Sequence, residues 1–269
     1  MLKKIFSLSV GLCLTLAMFT GCTSSTTASK DDSLARIQKA KEIVIGIDDT
    51  YPPMEFKDKA SGKVSGFDID MANAIAKKLG VKTKFVPNSF DGIFLALKSK
   101  KFDVVHSSIS ITDERKKSMI FSDPYIYGGN AIFVKADNTT IKNEKDFKGQ
   151  VVGCEVGTTA QDVLGKMSDI KEVKKYNAMT DAFLDLQNGR IAAVVSDPMV
   201  GDYYNVTDPG KFKKLKSSLT QEPIGVAFRK EDKSLRDAYN KAIKELKKDG
   251  TMSKLSEKWF GIDVYANHK

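Results

Sequence analysis

Cysteine and histidine are scarce in this sequence, which has three cysteines and two histidines among 269 residues. Cys13 and Cys22 lie within an apolar N-terminal segment, so that Cys154 is the one cysteine in the rest of the chain. A domain with one cysteine has no internal disulfide. His106 and His268 have no cysteine pair beside them, which argues against a zinc site, and we expect neither a metal nor a cofactor.

The sequence also lacks a cluster of basic and aromatic residues. Its formal net charge is +9, but the lysines are spread along the whole chain. No segment combines basic with aromatic side chains in the pattern that binds nucleic acid. We therefore interpret the excess positive charge as a solvated surface and expect no nucleic-acid partner.

The longest apolar run stands at the N-terminus. Lys3 and Lys4 precede it, and the small residues Gly21 and Cys22 end it. This order is typical of a secretory signal peptide, and the ending FTGC is similar to a bacterial lipobox, in which the cysteine becomes the lipidated N-terminus. We predict a signal peptide over residues 1–22 and a lipid on Cys22, with cleavage without lipid as the alternative. The mature protein would lie outside the cytoplasm, anchored to the outer face of the bacterial cytoplasmic membrane by the lipid alone, or free in the periplasm.

A short polar segment, TSSTTASKDD, occupies residues 23–32. It cannot bury apolar surface, so we predict a flexible tether. The roughly 235 residues that follow suffice for one large or two medium domains whose core is stable without disulfides.

Strand and helix patterns alternate through the rest of the chain. Runs rich in β-branched residues predict buried strands, and apolar residues at helical spacing predict helices between them. The predicted strands are 42–48, 82–86, 102–106, 150–156, 173–177 and 191–196, and the predicted helices are 68–80, 90–100, 158–167, 179–189, 232–250 and 251–261. Such alternation favours an α/β fold with mostly parallel sheets covered on their faces.

The two halves of the chain contain a similar segment. Residues 93–108 align with residues 182–197 at a constant offset of 89 (182 − 93), which pairs Ser108 with Asp197. Each segment reads as a helix followed by a strand that ends in polar residues, so we predict two lobes of the same plan. Because parallel α/β sheets bind ligands outside the carboxyl ends of their strands, two facing lobes would direct Ser108 and Asp197 into one cleft.

A row of hydroxyl groups follows one predicted strand of the first half. It comprises Ser107, Ser108 and Ser110, and the segment TDER comes next, with Thr112 as a helix N-cap and Arg115 in the first turn. The free N–H groups of a helix start and the Arg115 guanidinium predict an anion site. A capped turn with Arg115 at the surface is the alternative.

The second half supplies a matching turn and a carboxylate. Gly157 allows a close backbone approach, and Thr158 and Thr159 offer N–H and hydroxyl donors. Asp197 follows a valine-rich strand, where an unpaired carboxylate would be costly. Facing Arg115, this set fits the carboxylate and ammonium groups of an α-amino acid. An ordinary helix cap is the alternative for the threonines and for Asp197.

Motifs along nearly the whole chain resemble one family. They include GIDDTYPPMEF, GFDIDMANAIAKKLG, DVVHSSISITDERKK, FSDPY and DGTMSKLSEKWFG, in this order. They are similar to those of the bacterial solute-binding proteins of family 3, the receptors of polar amino acid ABC importers. The resemblance implies an α/β, type II periplasmic-binding-protein fold with two lobes and two crossover hinge strands near 127–131 and 223–228. Lobe one would comprise 33–128 and 224–269, and lobe two 129–223.

The resemblance also implies roles for individual residues. Arg115 would bind the ligand's α-carboxylate together with the N–H groups of Ser110 and Thr159. Asp197 would bind the α-ammonium with help from Ser108 and Ser110. The other residues with an implied ligand contact are Thr158 in the second lobe, Ser107 beside Ser108, Tyr51 and Phe90 as aromatic walls, and Asp48 at the far end of the pocket.

Two acids bear on the side chain of the ligand. Asp48 and Glu155 would place negative charge at the end of the pocket, which favours a cationic side chain. Aromatic walls would add cation–π attraction for a guanidinium, so we predict arginine or lysine as the ligand. A glutamine or cystine receptor of the same family is the alternative, since the resemblance implies an acid at the place of Asp48 in glutamine receptors as well. For the single residues, the alternatives are that Asp48 caps a loop and that Glu155 points outward into solvent.

The resemblance implies partners as well as a ligand. A monomeric receptor would close on the amino acid and deliver it to an ABC permease and its ATPase. A sensory receptor with another partner is one alternative, and an enzyme on the same architecture, such as a cyclohexadienyl dehydratase, is another. Catalysis requires an acid or base aimed at a reacting atom, whereas the carboxylates here have binding roles, so we predict that the protein is not an enzyme.

Overall fold

The structure, a computed structural model, describes residues 31–266. The predicted signal peptide, Cys22 and most of the predicted tether therefore lie outside the described residues, as does His268. No helix within 31–266 is long and apolar enough to cross a membrane.

Strands and helices alternate much as the sequence pattern predicts. The strands in this part of the chain are β1 Glu42–Ile47, β2 Thr50–Tyr51, β3 Glu55–Lys57, β4 Val64–Ser65, β5 Lys82–Pro87, β6 Val104–Ser110, β7 Met119–Phe121, β8 Ile126–Gly128, β9 Ala131–Lys135, β10 Val151–Glu155, β11 Glu172–Tyr176, β12 Ala193–Ser196, β13 Phe212–Ser218 and β14 Glu222–Arg229. The helices are α1 Ser33–Ala40, α2 Phe67–Leu79, α3 Phe90–Lys98, α4 Asp113–Lys116, α5 Thr159–Leu164, α6 Met179–Gln187, α7 Pro198–Thr207, α8 Lys233–Lys248 and α9 Thr251–Phe260, with a 3₁₀ turn at Glu144–Phe147.

These strands form two large sheets and a small one. The first sheet has the order β5-β1-β6-β14-β7, with β8 also paired to β14, and the second has the order β11-β10-β12-β9-β13. The chain passes from the first sheet to the second between β8 and β9 and returns between β13 and β14. The predicted α/β class with two lobes and two crossovers is confirmed. The second crossover lies at 219–221, between β13 and β14. Strand β14 therefore begins two residues before 224, where the second part of lobe one was predicted to start.

Helix α2 illustrates how the sequence pattern forms the core. Met71, Ala72, Ile75 and Ala76 follow one another at helical spacing on one face of the helix, and each is at most 2% exposed. Burying a large apolar side chain contributes about 1.5–3 kcal/mol. Gly80 ends the helix with a left-handed φ of 72°, which glycine adopts without steric cost.

The repeat at an offset of 89 is visible in the strand register. In the first sheet Gly46 of β1 pairs with Val105 of β6, and in the second Gly153 of β10 pairs with Val194 of β12. Both pairs are parallel, and 194 − 105 is again 89. The central strands of the two lobes thus follow the same plan, as the two similar segments predict.

Strand β6 continues further than the sequence indicates. The predicted strand ended at His106, with the serines after it, but β6 runs through Ser110 because the returning strand β14 pairs with it antiparallel. The register shifts along this pairing, and Ser108 takes a φ of 49°. The serines are therefore part of a bulged strand rather than a loop, which fixes the direction of their side chains.

Gly66, directly before α2, tests how tightly the first lobe is packed. Its φ is 138°, and a Cβ added there would lie 2.1 Å from the Met54 carbonyl oxygen and 2.9 Å from the Glu55 Cα. We expect Gly66→Ala to lower the free energy of unfolding by about 3 kcal/mol, which corresponds to a fall in Tm of roughly 10 °C. Thermal unfolding followed by circular dichroism measures it.

Gly62 is the matched control for this substitution. Its φ is 68°, and an added Cβ would meet nothing within 4 Å, so that Gly62→Ala bears only the cost of a left-handed backbone, about 1 kcal/mol. Equal falls in Tm for the two variants would contradict the steric argument.

Candidate functional site

Residues from both large sheets line one cavity, with about 400 Å³ of empty space that includes open solvent. Every predicted ligand-binding residue except Asp48 is among them. The lining residues are Tyr51, Glu55, Phe90, Ser107, Ser108, Ser110, Arg115, Asn130, Glu155, Thr158, Thr159, Ala160, Met179, Val195, Ser196 and Asp197.

Arg115 points into this cavity and bridges the two lobes. One guanidinium nitrogen donates to the Ser110 carbonyl oxygen at 2.9 Å, and another donates to the Gly157 carbonyl oxygen in the second lobe at 3.2 Å. The guanidinium carbon lies 5.7 Å from the centre of the Phe90 ring and 4.9 Å from that of Phe94. Burial lowers the pKa of Arg115, but a guanidinium stays charged. The surface alternative is therefore wrong.

The helix that carries Arg115 is the one predicted from TDER. The Thr112 hydroxyl accepts a hydrogen bond from the Arg115 N–H at 3.2 Å, so Thr112 is the N-cap. The helix is only four residues long because β7 follows at Met119. This short turn directs Arg115 back across the end of β6.

Asp197 stands at the end of β12 and is 8% exposed. One carboxylate oxygen accepts the Gly129 N–H at 2.7 Å, and the other accepts the Tyr51 hydroxyl at 2.9 Å. Asp197 occupies the N-cap position of α7, but its side chain makes no cap hydrogen bond. Burial raises its pKa to about 6. The carboxylate is thus paired, and its side chain serves the cavity and not the helix start.

The serines of β6 hold buried acids. The Ser107 hydroxyl donates to Glu55 at 2.7 Å and accepts the Asp48 N–H at 2.9 Å. The Ser108 N–H and hydroxyl both donate to Asp68, at 2.8 and 3.1 Å. The hydroxyl hydrogens are therefore directed toward carboxylates, and the Ser108 oxygen keeps its acceptor capacity.

The two threonines begin helix α5 and differ in their contacts. The Thr158 hydroxyl donates to the Glu155 carbonyl at 2.7 Å and caps the helix. Thr158 is therefore a helix cap, as the alternative interpretation had it, and it also lines the cavity. The Thr159 hydroxyl donates to Glu222 at 2.8 Å and accepts from the Asn130 amide at 3.2 Å. The first-turn N–H of Thr159 has no partner within the helix, as at any helix start.

Asp48 and Glu155 come together from opposite lobes, and both are almost fully buried. One Asp48 oxygen accepts the N–H and hydroxyl of Thr50 at 3.0 and 2.8 Å, so Asp48 does cap a loop. Its other oxygen meets no N–H or O–H donor and faces Glu155, whose two carboxyl oxygens also lack a donor. Burial raises the pKa of Glu155 well above its ordinary value. Glu155 points inward, so the outward alternative is wrong.

The sequence interpretation missed five polar residues of the site, one of which is Ser196 at the end of β12, which lines the cavity. Glu55 and Asn130 line the cavity, Asp68 holds Ser108, and Glu222 holds Thr159. Glu222 and Asn130 lie at the two crossovers, where the Asn130 amide donates to Glu222 at 3.0 Å. Glu55 and Asp68 belong to the motifs MEF and GFDID of the sequence analysis. Each is an acid beside apolar residues, and this pattern could have indicated that both are buried near the site. His106 is buried beside Asp68 and does not line the cavity.

The sequence model of the bacterial extracellular solute-binding proteins, family 3, matches residues 43–262 of this chain. The chain belongs to this family. The resemblance inferred from the sequence motifs is thereby confirmed, and the matched range includes every residue that lines the cavity.

Individual relatives of this solute-binding protein differ in their ligands. It is 37% identical over 233 residues to the L-cystine-binding protein TcyJ of Escherichia coli K12, covering 86% of this chain and 87% of TcyJ. It is 36% identical over 246 residues to the L-arginine-binding protein of Pseudomonas aeruginosa, covering 88% of this chain and 94% of that one. The solved structure of an ancestral arginine-binding protein bound to glutamine is 46% identical in sequence, with a TM-score of 0.78, and the match covers 82% of this chain and 98% of that chain. The relatives thus agree on the class of protein and leave the amino acid open.

Proposed function

We propose that this solute-binding protein is the receptor of an ABC importer for L-amino acids with a cationic side chain, arginine or lysine. The observation that carries the proposal is the distribution of charge around one cavity. Arg115 offers a cation for an α-carboxylate, Asp197 offers an anion for an α-ammonium, and two further carboxyl groups, Glu55 and Glu155, line the same space. An acidic side chain would be repelled there, whereas a cationic one would be attracted.

The main-chain groups of the ligand would be held by charge-assisted hydrogen bonds. The α-carboxylate would meet Arg115 and the N–H groups of Ser110 and Thr159. The α-ammonium would donate to Asp197 and to the Ser108 oxygen, which is free to accept. Each such bond contributes ~1.5–3 kcal/mol, and this part of the site would serve any L-amino acid.

The ligand side chain would lie between aromatic walls. Tyr51 and Phe90 both line the cavity, and a guanidinium or ammonium against their rings gains cation–π attraction. The Tyr51 hydroxyl is held by Asp197, so that the ring is fixed. Thr158 contributes from the second lobe, and Asp48 acts through its contact with Glu155.

Closure of the two lobes would capture the ligand and create the form that docks on the transporter. Hydrogen bonds join the lobes at the cavity, among them those from Arg115 to the Gly157 carbonyl and from the Tyr51 hydroxyl to Asp197. A ligand that adds further bonds to both lobes shifts the equilibrium toward the closed state. We propose that this monomer acts outside the cytoplasm, held at the membrane by a lipid on Cys22, and delivers its amino acid to a permease and its ATPase.

Isothermal titration calorimetry of residues 33–269 tests the ligand. The protein is first unfolded and refolded to remove carried-over ligand, then titrated with arginine, lysine, histidine, glutamine, glutamate and cystine. We expect arginine or lysine to bind most tightly. Tighter binding of glutamine or cystine would retain the Arg115–Asp197 clamp and overturn the cationic pocket.

A dehydratase is the second candidate, and the observation that favours it is the buried Glu155 carboxyl group, which lines the cavity and has no hydrogen-bond partner. A positioned acid is what such an enzyme requires. We expect prephenate and arogenate to be recovered unchanged after incubation with the protein. Their conversion would replace the receptor proposal.

The titration of Asp197 predicts how affinity depends on pH. An ammonium needs an ionised carboxylate, and burial raises the pKa of Asp197 to about 6. The affinity for a ligand with a neutral side chain should be complete above this pH and should fall toward tenfold per pH unit below it. Calorimetry with glutamine between pH 4.5 and 8 measures this effect, because a neutral side chain leaves the other acids out of the comparison. A constant Kd down to pH 5 would contradict the assignment.

A further inference from the structure

Two pairs of carboxyl groups adjoin the cavity. Glu155 of β10 faces Asp48, which follows β1, and Glu55 of β3 faces Asp68 in the first turn of α2. Each of the four side chains belongs to a residue that is at most 2% exposed. Glu55 and Glu155 line the cavity directly, and their partners lie behind them.

Several oxygens of these groups meet no N–H or O–H donor. They are both oxygens of Glu155, one oxygen of Asp48, one of Glu55 and one of Asp68. Two facing carboxyl groups form a hydrogen bond only when one of them holds a proton. Buried polar atoms without a partner are costly, and the unpartnered oxygens of Glu55 and Glu155, which line the cavity, are available to a donor that enters it.

The surrounding protein does not balance this negative charge. Arg115 is the one cationic side chain that lines the cavity within residues 31–266, and two of its nitrogens already donate to Ser110 and Gly157. His106 lies 3.7 Å from Asp68, but its own burial lowers its pKa, which keeps the imidazole neutral. The pairs are therefore neutralised by protons or by a cation that the ligand brings.

The raised pKa values of Glu55 and Glu155 agree with a proton shared within each pair of carboxyl groups. Burial raises the pKa of Glu55 well above its ordinary value, and the charge of Asp68 raises it further. Burial does the same for Glu155, with Asp48 as the second cause. Two carboxyl groups that share a site cannot both ionise at ordinary pH without a counter-charge.

We propose that Glu55 and Glu155, each backed by a second carboxyl group, form a proton-exchanging subsite in which a cationic ligand side chain takes the place of a shared proton. Glu55 becomes a specificity-determining residue alongside Glu155. This inference rests on the proposed function, because it concerns ligands with a cationic side chain. For each ligand bound, one positive charge enters the subsite and about one proton leaves it. The number of protons released is a property of the four interacting acids together and not of any one of them.

Other titratable and charged groups surround the two pairs from every packed element. Those that face Glu55 and Asp68 are Asp48, His106 and Tyr125, and those that face Glu155 and Asp48 are Tyr51, Asp197, Asp49 and Tyr204. Burial raises the pKa of all three tyrosines, so that they stay neutral. Asp197 is ionised above its pKa of about 6. Because it would contact the α-ammonium of every amino acid, it contributes equally to the binding of arginine and of glutamine.

Calorimetry in buffers with different ionisation enthalpies measures the exchange. Arginine and glutamine are titrated at pH 7.5 in phosphate and in Tris, and the change of the observed enthalpy with the buffer enthalpy gives the number of protons released. We expect about one proton for arginine and close to none for glutamine. The arginine Kd should also fall about tenfold for each unit by which the pH rises, as long as the carboxyl pairs still hold their protons.

Single variants identify the source of the proton. Glu55→Gln and Glu155→Gln keep the size of the side chain and remove the titrating group, so each should reduce the proton count and the preference for arginine over glutamine. Glu172→Gln, at an exposed site on β11, is the matched control and should change neither. Circular dichroism checks that each variant is folded.

Each outcome of these titrations decides between the two proposals. Tight arginine binding with no proton release, or with release that persists in both cavity variants, would overturn the exchange and leave the receptor proposal intact. Failure of arginine and lysine to bind, while glutamine or cystine binds, would overturn the cationic ligand and the exchange with it.

Discussion

Asp197→Asn should raise the Kd of every amino acid ligand by roughly 10³-fold at pH 8. The substitution keeps the shape of the side chain and an oxygen that can accept the Gly129 N–H, but it removes the negative charge that an α-ammonium requires. Breaking a buried, hydrogen-bonded charge pair costs about 3–5 kcal/mol, and each 1.4 kcal/mol is tenfold in Kd. Isothermal titration calorimetry at pH 8, where the native carboxylate is ionised, measures the loss.

Asp169→Asn is a matched control for Asp197→Asn. Asp169 lies at an exposed position in the same half of the chain, so that its substitution removes the same charge without touching the cavity. We expect its Kd to stay within twofold of the native value. A Kd for Asp197→Asn within tenfold of the native value would show that Asp197 does not hold the ammonium.

The plan of the fold was predictable because it depends on local patterns. The apolar face of α2, the N-cap at Thr112 and the glycine stop at Gly80 each follow from the side chains of a few neighbouring residues. The two similar segments, 93–108 and 182–197, indicated equal lobes because the same helix and strand pattern returns at a fixed offset. Sequence therefore predicted the elements with a strong local pattern and how the lobes correspond, but it did not predict helices α1 and α7 or strands β9 and β13.

The ends of strands were less predictable because they depend on partners that are distant in the chain. Strand β6 extends to Ser110 only because β14, more than a hundred residues later, pairs with it. The bulge at Ser108 follows from the same pairing. No pattern within residues 102–110 contains that information.

The residues of the candidate site also differ in whether the sequence alone could predict them. Arg115 and Asp197 were identifiable because each is a charged residue beside the end of an apolar strand, where a purely structural role is uncommon. Glu55 and Asp68 were missed because their importance lies in their mutual approach and in their contacts with Ser107 and Ser108, which only the folded chain creates.

Arg115→Met should greatly weaken the binding of every amino acid ligand. Arg115 offers the one cationic side chain that lines the cavity among the described residues, so the variant leaves an α-carboxylate without a counter-charge. We expect a rise in Kd of roughly 10³-fold. Arg115→Lys should lose less, roughly 10- to 100-fold, because an ammonium keeps the charge but cannot donate to Ser110, Gly157 and the ligand with the planar geometry of a guanidinium.

Lys116→Met is the matched control, since Lys116 is the next residue of α4 and its side chain is 56% exposed. It removes one positive charge from the same helix and should leave the Kd unchanged. Arg115→Met also deprives the Ser110 and Gly157 carbonyls of a donor, so its free energy of unfolding should fall by about 1–3 kcal/mol. Thermal unfolding therefore accompanies the calorimetry, to show that the lost binding does not arise from an unfolded protein.

The pattern of loss across ligands separates the Arg115 clamp from the acidic pairs. An α-carboxylate is common to arginine, lysine and glutamine, so Arg115→Met should weaken all three by a similar factor. Glu155→Gln acts on the side chain alone and should weaken arginine and lysine while leaving glutamine almost unchanged. If Arg115→Met weakened arginine but spared glutamine, Arg115 would contact the side chain instead of the carboxylate, and the proposed orientation of the ligand in the cavity would have to be reversed.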